Sequence, residues 1–437
     1  MDSIAETEDT DFTLSDSSLA RASGETDTLD DIESAFLTGG TSANRFDLTG
    51  WTGSGSIDGA DVAPRIDTVV VAADADITLT DILLTVSTSG GSISLASVEA
   101  AQLSGGPSAN MIDASGFTGG ARILGWEGND TLLGGSGRDI LIGGPGDDNI
   151  SGNRDNDVLD GGSGTDTLTE SRTASAVEFL LGAGVLLVDE AALAVSELDL
   201  HTGFESVAVS GGAFDDVFDF TGWTGGPILA DGQGGADTIK AAGSGNLVLT
   251  AAGLTVPSGG GISFLSIEAA ELSGGATDDI LNASSFTGQA ELSGGGGDDI
   301  LIGGLGDDLL DGGDGDDRLV VNPDGSADTD TVIGGDGLDT LDFSSFAVGL
   351  MVDLGTVAVA QTVVAAESDI MAVSEDIEAV LGGSGNDSLK GNSLDNRLTG
   401  GLGDDTLTGV GGFNTIVESA DADFTLAPAS LVIGGDT

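Results

Sequence analysis

From Gly125 to Thr169 the chain consists of five nine-residue units laid end to end: GWEGNDTLL, GGSGRDILI, GGPGDDNIS, GNRDNDVLD and GGSGTDTLT. Their shared pattern is glycine at positions one, two and four, aspartate at six and a large aliphatic residue at eight. The aspartates are Asp130, Asp139, Asp148, Asp157 and Asp166. Glycine reaches positive φ at little cost, so Gly-Gly-x-Gly turns sharply and leaves its carbonyls and amides exposed. Three residues of strand follow, in which Leu132, Leu141, Ile150, Leu159 and Leu168 point inward and their neighbours outward. One unit buries almost nothing, so units must stack, two to a coil, as a parallel solenoid. Residues 18 apart then lie one above another, with Asp130, Asp148 and Asp166 on one edge and Asp139 and Asp157 on the other.

Carboxylates stacked at one strand spacing, roughly 4.8 Å, repel. At an effective dielectric near 20 each neighbouring pair costs on the order of 3 to 4 kcal/mol. A hard divalent cation with oxygen ligands removes that cost. Carboxylates of neighbouring coils plus loop carbonyls supply the six to eight oxygens that calcium prefers, whereas magnesium demands a smaller octahedron and keeps its water. The competing reading is a polar solenoid held by asparagine and aspartate ladders without metal.

The unit recurs outside this block. A single copy spans 232–240, with Asp237; three copies span 294–320, with Asp299, Asp308 and Asp317. After a four-residue insertion containing Pro323, two more carry Asp330 and Asp339, and four span 382–417, with Asp387, Asn396, Asp405 and Asn414 at position six. The candidate calcium ligands are therefore the thirteen position-six aspartates named so far, together with loop glycines. Those glycines are Gly135, Gly137, Gly144, Gly146, Gly162 and Gly164 in the first block, and Gly295, Gly297, Gly304, Gly306, Gly313 and Gly315 in the second. In the last block they are Gly383, Gly385, Gly401 and Gly403. Trp126 at a second position, Asp155 and Asp328 at fourth positions, and the two asparagines depart from the pattern.

These units resemble the RTX (repeats-in-toxin, hemolysin-type) calcium-binding nonapeptide, Gly-Gly-x-Gly-x-Asp-x-hydrophobic-x. The resemblance implies a bacterial product exported by a type I secretion system and folded outside the cell, where calcium is near millimolar. At a site affinity of about 10⁻⁴ M, such calcium stabilises the fold by roughly 1.4 kcal/mol per site. The fold class expected is all-β: a parallel β-roll or β-helix solenoid with Gly-Asp-rich calcium loops.

Composition agrees. Of 74 acidic residues, 56 are aspartate and 18 glutamate, against 11 basic residues and a net charge of −63. Acidity serving solubility alone would draw on both acids; the bias toward aspartate indicates a short carboxylate needed at fixed loop positions. The charge excludes nucleic acid and anionic membrane as partners. No cysteine is present, so metal is the remaining staple. The apolar stretches 173–193 and 346–366 read as pairs of buried strands joined by a glycine turn rather than membrane spans. The N-terminal text MDSIAETEDTDF is acidic where a secretory signal would be basic.

Between the nonapeptides runs a longer cassette, seen in DIESAFLTGGTSANRFDLTGWTG from Asp31 and SVEAAQLSGGPSANMIDASGFTG from Ser97. It returns from Phe204 and Ser266, and shortened from Asp376. Its glutamates Glu33, Glu99, Glu205, Glu268 and Glu378 alternate in spacing, which implies a superunit of roughly 170 residues. Thr165 onward matches Leu338 onward at an offset of 173. The cassettes read as further, less regular β coils, with helix confined to pieces such as 189–197. The resulting division is 1–124 cassette, 125–169 nonapeptide block, 170–293 cassettes around 232–240, 294–342 block, 343–381 cassette, 382–417 block, and 418–437 the start of another cassette. The matching first and last texts, from Asp9 and Asp421, lead to the expectation of a segment of a longer array.

Catalytic chemistry is not expected. The single histidine, His201, reads as an exposed cassette turn, too little for a zinc motif and without a serine elbow nearby. Trp51 and Trp223, aligned with Phe117 and Phe286, read as core. Two functions follow: an extracellular calcium-stiffened structural or adhesive array with a cell-surface or matrix ligand of unassigned identity, or the export and folding region of a secreted enzyme or toxin.

Overall fold

The computed structural model describes residues 2–60, 65–88, 90–190, 196–257, 260–322, 328–355, 361–364, 369–417, 424–427 and 430–433. Every regular element among them is a β-strand. The chain divides into two compact units, the first of residues 1–211 and 225–229, the second of 212–224 and 230–437.

In the first unit the nonapeptide strands build two walls. Thr131–Leu133, Asn149–Ser151 and Thr167–Ser171 pair in parallel along one, aligning Leu132, Ile150 and Leu168. Ile140–Pro145 and Val158–Ser163 pair along the other, aligning Leu141 with Leu159. These aliphatic residues are at most 1% exposed, so each unit contributes one core side chain and successive units feed opposite walls. The expected 18-residue register is therefore the register observed. Cassette strands extend both walls: Met111–Gly116 sets Ile112 beside Leu132, Gly120–Leu124 sets Ile123 beside Leu141, and Ser206–Ser210 sets Val207 beside Leu168.

The second unit repeats this plan. Leu281, Leu301, Leu319, Leu341, Val380 and Leu398 align along one wall. Leu272, Leu292, Leu310 and Val332 align along the other.

The irregularity of the cassettes takes a defined form, since each inserts antiparallel strands into a wall. Val177–Gly182 and Val185–Glu190 form the hairpin expected within 173–193, and Glu197–Thr202 adds to it before rejoining the parallel ladder beside Val158–Ser163. Its apolar counterpart at 346–366 lies partly outside the described residues. So does the helix expected at 189–197: Asp189, Glu190 and Glu197 are on strands and 191–195 are not described.

His201 corrects the sequence reading. It lies on Glu197–Thr202, paired with Leu159, and so occupies the inward position that an aliphatic residue fills elsewhere. It is 4% exposed, packs edge-on to Phe204, and burial lowers its pKa. Trp51 is buried as expected, but Trp223 is only half-buried.

One part of the first unit's interior is ionic. Arg172 is buried among Glu170, Glu190 and Glu197, at 3.1 Å from Glu190 and 2.5 Å from Glu197, and in direct contact with Glu170. At the equivalent of Glu170 in the second superunit stands Phe343, buried against Phe346 with ring centroids 5.5 Å apart.

Candidate metal centre

At the coil edges the loops stack backbone on backbone. In 161–169, Gly162 and Gly164 hold φ of 104° and 147°, and a Cβ on either would stand 2.2 Å from the Gly144 carbonyl oxygen or 1.9 Å from that of Gly146. Only glycine tolerates both the angle and the approach. Gly144, Gly146, Gly295, Gly297, Gly313, Gly315, Gly401 and Gly403 share this open form, with positive φ at positions two and four. Where the pattern departs, asparagine and aspartate serve, with Asn153 at 66° and Asp155 at 72°, while Trp126 holds 78° on an exposed loop.

Among the described residues, three Gly-Gly-x-Gly loops take a closed form instead. The N–H of Gly135 donates to Asp139 Oδ2 at 2.5 Å, that of Gly383 to Asp387 Oδ2 at 2.9 Å, and that of Gly304 to Asp308 Oδ2. None of Gly135, Gly137, Gly304, Gly306, Gly383 or Gly385 has positive φ. Each of these three lies over a cassette corner whose phenylalanine carbonyl accepts the N–H of its third residue: Phe117 from Ser136, Phe286 from Leu305 and Phe346 from Ser384.

The position-six aspartates turn inward and form columns. Asp130 N–H donates to Asp148 Oδ1, Asp148 N–H to Asp166 Oδ1 and, on the other edge, Asp139 N–H to Asp157 Oδ1, all at 2.8 Å. The second unit continues Asp279 to Asp299 to Asp317 to Asp339 at 2.6 to 2.9 Å, Asp308 to Asp330 at 3.0 Å, and Asp387 to Asp405 at 2.8 Å. The hydrogen bonds use one carboxylate oxygen. Oδ2 of Asp130, Asp148, Asp157, Asp166, Asp237, Asp299, Asp317, Asp339 and Asp405 is buried without any hydrogen-bond donor. Such an oxygen costs free energy unless something meets it.

The backbone forms a cradle around that oxygen. A Cβ on Gly143 would stand 2.2 Å from Asp148 Oδ2 and 2.6 Å from the Gly161 carbonyl; on Gly312, 2.3 Å from Asp317 Oδ2 and 2.4 Å from the Gly334 carbonyl. The first-position glycines, absent from the sequence-derived ligand set, thus leave the space in which carboxylate and carbonyl oxygens converge. Among the described residues no three Asp, Glu, His or Cys side chains gather as a metal cluster. Any cation here is held by a few carboxylates and many carbonyls. A donor set made wholly of oxygen fits calcium.

Burial disfavours the charged carboxylates. It pushes Asp139, Asp148, Asp237, Asp299, Asp308 and Asp387 up to about 6 and Asp339 to about 7. Asp157 rises to about 9, by burial and then by the charge of Asp199.

Three sets of functional residues escaped the sequence reading. The cassette loops that begin at Gly39, Gly105, Gly211 and Gly274 are closed loops without the fourth glycine, in which the second glycine donates to Asn44, Asn110, Asp216 or Asp279 at 2.5 to 2.8 Å. These residues head columns, their N–H groups donating to Asp67, Asp130, Asp237 and Asp299. Aligning the cassettes with the nonapeptide, fourth position aside, reveals them. Asp199 extends the second edge, accepting Asp157 N–H at 2.9 Å, and its Oδ2 is buried without a donor. At position five runs an exposed ladder of opposite sense, in which Asp147 accepts from Thr165, Asp298 from Asp316 and Asp395 from Phe413, 18 residues on.

Among known proteins, a family model described as RTX calcium-binding nonapeptide repeat (4 copies) matches residues 122–141, 133–168, 291–321, 324–345 and 381–416. No curated protein matches the chain significantly. Among the described residues, no helix is long and apolar enough to cross a membrane.

Proposed function

We propose, from the RTX calcium-binding nonapeptide repeats that the chain carries, that it is an extracellular bacterial protein whose solenoid folds as calcium enters its loop columns. Its role is structural or adhesive rather than catalytic. The observation that carries this reading is the row of buried, donorless Oδ2 atoms facing neighbouring carbonyls. Asp148, Asp166, Asp299 and Asp317 would hold the cation with the carbonyls of the open loops. Bound calcium supplies positive charge that meets both the donorless oxygens and the repulsion between coils. The chain's own residues fix the spacing: the N–H to Oδ1 bonds set each carboxylate, and the glycines keep the space clear.

At cytosolic calcium such sites gain almost nothing, and at millimolar calcium they stabilise every coil. The same gating would serve the export region of a larger secreted enzyme or toxin carried by a type I system, and the complete reading frame distinguishes the two. The direct test adds millimolar calcium to the chelated chain. The expected result is a gain of β-sheet circular dichroism and a fall in hydrodynamic radius, with magnesium much weaker; unchanged signals overturn the proposal.

A further inference from the structure

We propose that the cassette glutamates Glu205, Glu268 and Glu378 are calcium ligands, each completing a cation site at the C-terminal end of an aspartate column. The inference rests on the calcium reading above and extends it beyond the nonapeptides, since all three residues lie outside the matched segments.

Three of the columns end on a glutamate that accepts the last N–H. Asp166 N–H donates to Glu205 Oε2 at 2.8 Å, Asp237 N–H to Glu268 Oε2 at 3.0 Å and Asp339 N–H to Glu378 Oε2 at 3.1 Å. The glutamate thus stands where the next position-six aspartate stands inside a column. The backbone is replaced in the same way. At interior Gly125, the point where a Cβ would stand lies 2.4 Å from Asp130 Oδ2 and 2.7 Å from the carbonyl of the next first-position glycine, Gly143. At the column ends the matching points lie near Asp166 Oδ2 and the Gly203 carbonyl, Asp237 Oδ2 and the Ser266 carbonyl, and Asp339 Oδ2 and the Asp376 carbonyl, all at 2.1 to 2.9 Å.

A second observation points to a ligand. Asp166, Asp237 and Asp339 are wholly buried, and their Oδ2 atoms have no donor. Had the glutamate been only a cap for the N–H, a neutral side chain would serve and the aspartate oxygen would remain unmet. A carboxylate brings a second charge and a second oxygen to the place where the next aspartate is missing.

The test counts calcium on the full chain by equilibrium dialysis, with circular dichroism as the measure of folding. Glu205→Gln, Glu268→Gln and Glu378→Gln are combined, keeping an acceptor for each N–H while removing the charge. The expected variant folds in saturating calcium and either binds three fewer ions than wild type or holds three at least tenfold more weakly. Glu33→Gln is the control: Glu33 accepts only from the exposed Asp2 and should lose none. A triple variant with the wild-type number and affinity overturns the inference while the calcium reading stands. Wild type that takes up no calcium overturns that reading itself. If the triple variant does not recover the wild-type spectrum, the single variants decide, one ion fewer in each supporting the inference and the full complement overturning it.

Discussion

Asp148 does two jobs with two oxygens, and substitutions separate them. Oδ1 accepts Asp130 N–H, and Oδ2 is the buried, donorless atom. Asp148→Asn keeps the acceptor and removes the charge, so it should fold in calcium with fewer ions bound. Asp148→Ala should also leave a buried N–H unmet, costing a further 1 to 3 kcal/mol or so in calcium-loaded urea denaturation. Equal loss in the two variants would contradict this division. Glycines divide likewise. Gly146 holds φ of 146°, with the Gly128 carbonyl 1.7 Å from a would-be Cβ, whereas Gly137 has no positive φ and its nearest such atoms lie at 2.8 Å. Gly146→Ala should therefore lower the calcium-loaded thermal midpoint more than Gly137→Ala. The inward aliphatic residues and the aspartate columns were legible in the sequence because both follow from a nine-residue period. The loop states were not. GGSGRD at 134–139 is closed and GGSGTD at 161–166 open, although their glycines are identical. The difference comes from the coil beneath, where the Phe117 carbonyl takes Ser136 N–H, a contact that no local pattern encodes.

At the scale of an element, the last block holds an amide column beside a carboxylate one. Asn396 N–H donates to Asn414 Oδ1 at 3.0 Å, so the ladder persists without charge, and Asn392 N–H closes the loop on Asn396 Oδ1 at 2.9 Å. Asp395, the neighbour best placed by sequence to substitute, is occupied instead in the outer ladder by Phe413 N–H. Asn396→Asp with Asn414→Asp should therefore raise calcium uptake by the full chain, as titration calorimetry would read; an unchanged isotherm would show that position six is not the dominant ligand. The cassette hairpins, unforeseen in detail, carry their own signature in the Arg172 cluster. Breaking a buried ionic group by removing one partner costs roughly 3 to 5 kcal/mol. Arg172→Met, which strands Glu170, Glu190 and Glu197, should destabilise calcium-loaded protein by about that much in urea. The equivalent aromatic pair at Phe343 and Phe346 shows that the fold itself does not need charges there.

For the whole molecule, proton and calcium compete. The position-six carboxylates are raised by burial, Asp148 to about 6 and Asp339 to about 7, against an unfolded value near 3.8. A raised acid binds its proton more tightly in the folded state. Calcium-free stability should therefore be greatest below the unfolded value and fall as pH rises through 4 toward 7. Calcium needs the deprotonated form, so its apparent affinity should rise over that same interval, with protons released on binding. Calorimetry in buffers of different ionisation enthalpy would detect the release, and affinity independent of pH between 5 and 8 would contradict it.

The aspartate columns also have a direction. Every N–H in a column points to the carboxylate of the coil that follows in sequence, as Asp130 does to Asp148 and Asp148 to Asp166. A growing stack therefore has unlike faces, as a polar crystal does. Its leading face, toward the N-terminus, presents bare carboxylates, and its trailing face presents amide hydrogens. Coils added at the trailing face must bring carboxylate oxygens to waiting amides. Coils added at the leading face dock amides onto carboxylate oxygens already in place. A stack that grows from its C-terminal coil would offer each arriving coil a row of fixed acceptors, so the two directions of growth are unlike by virtue of the hydrogen bonds alone.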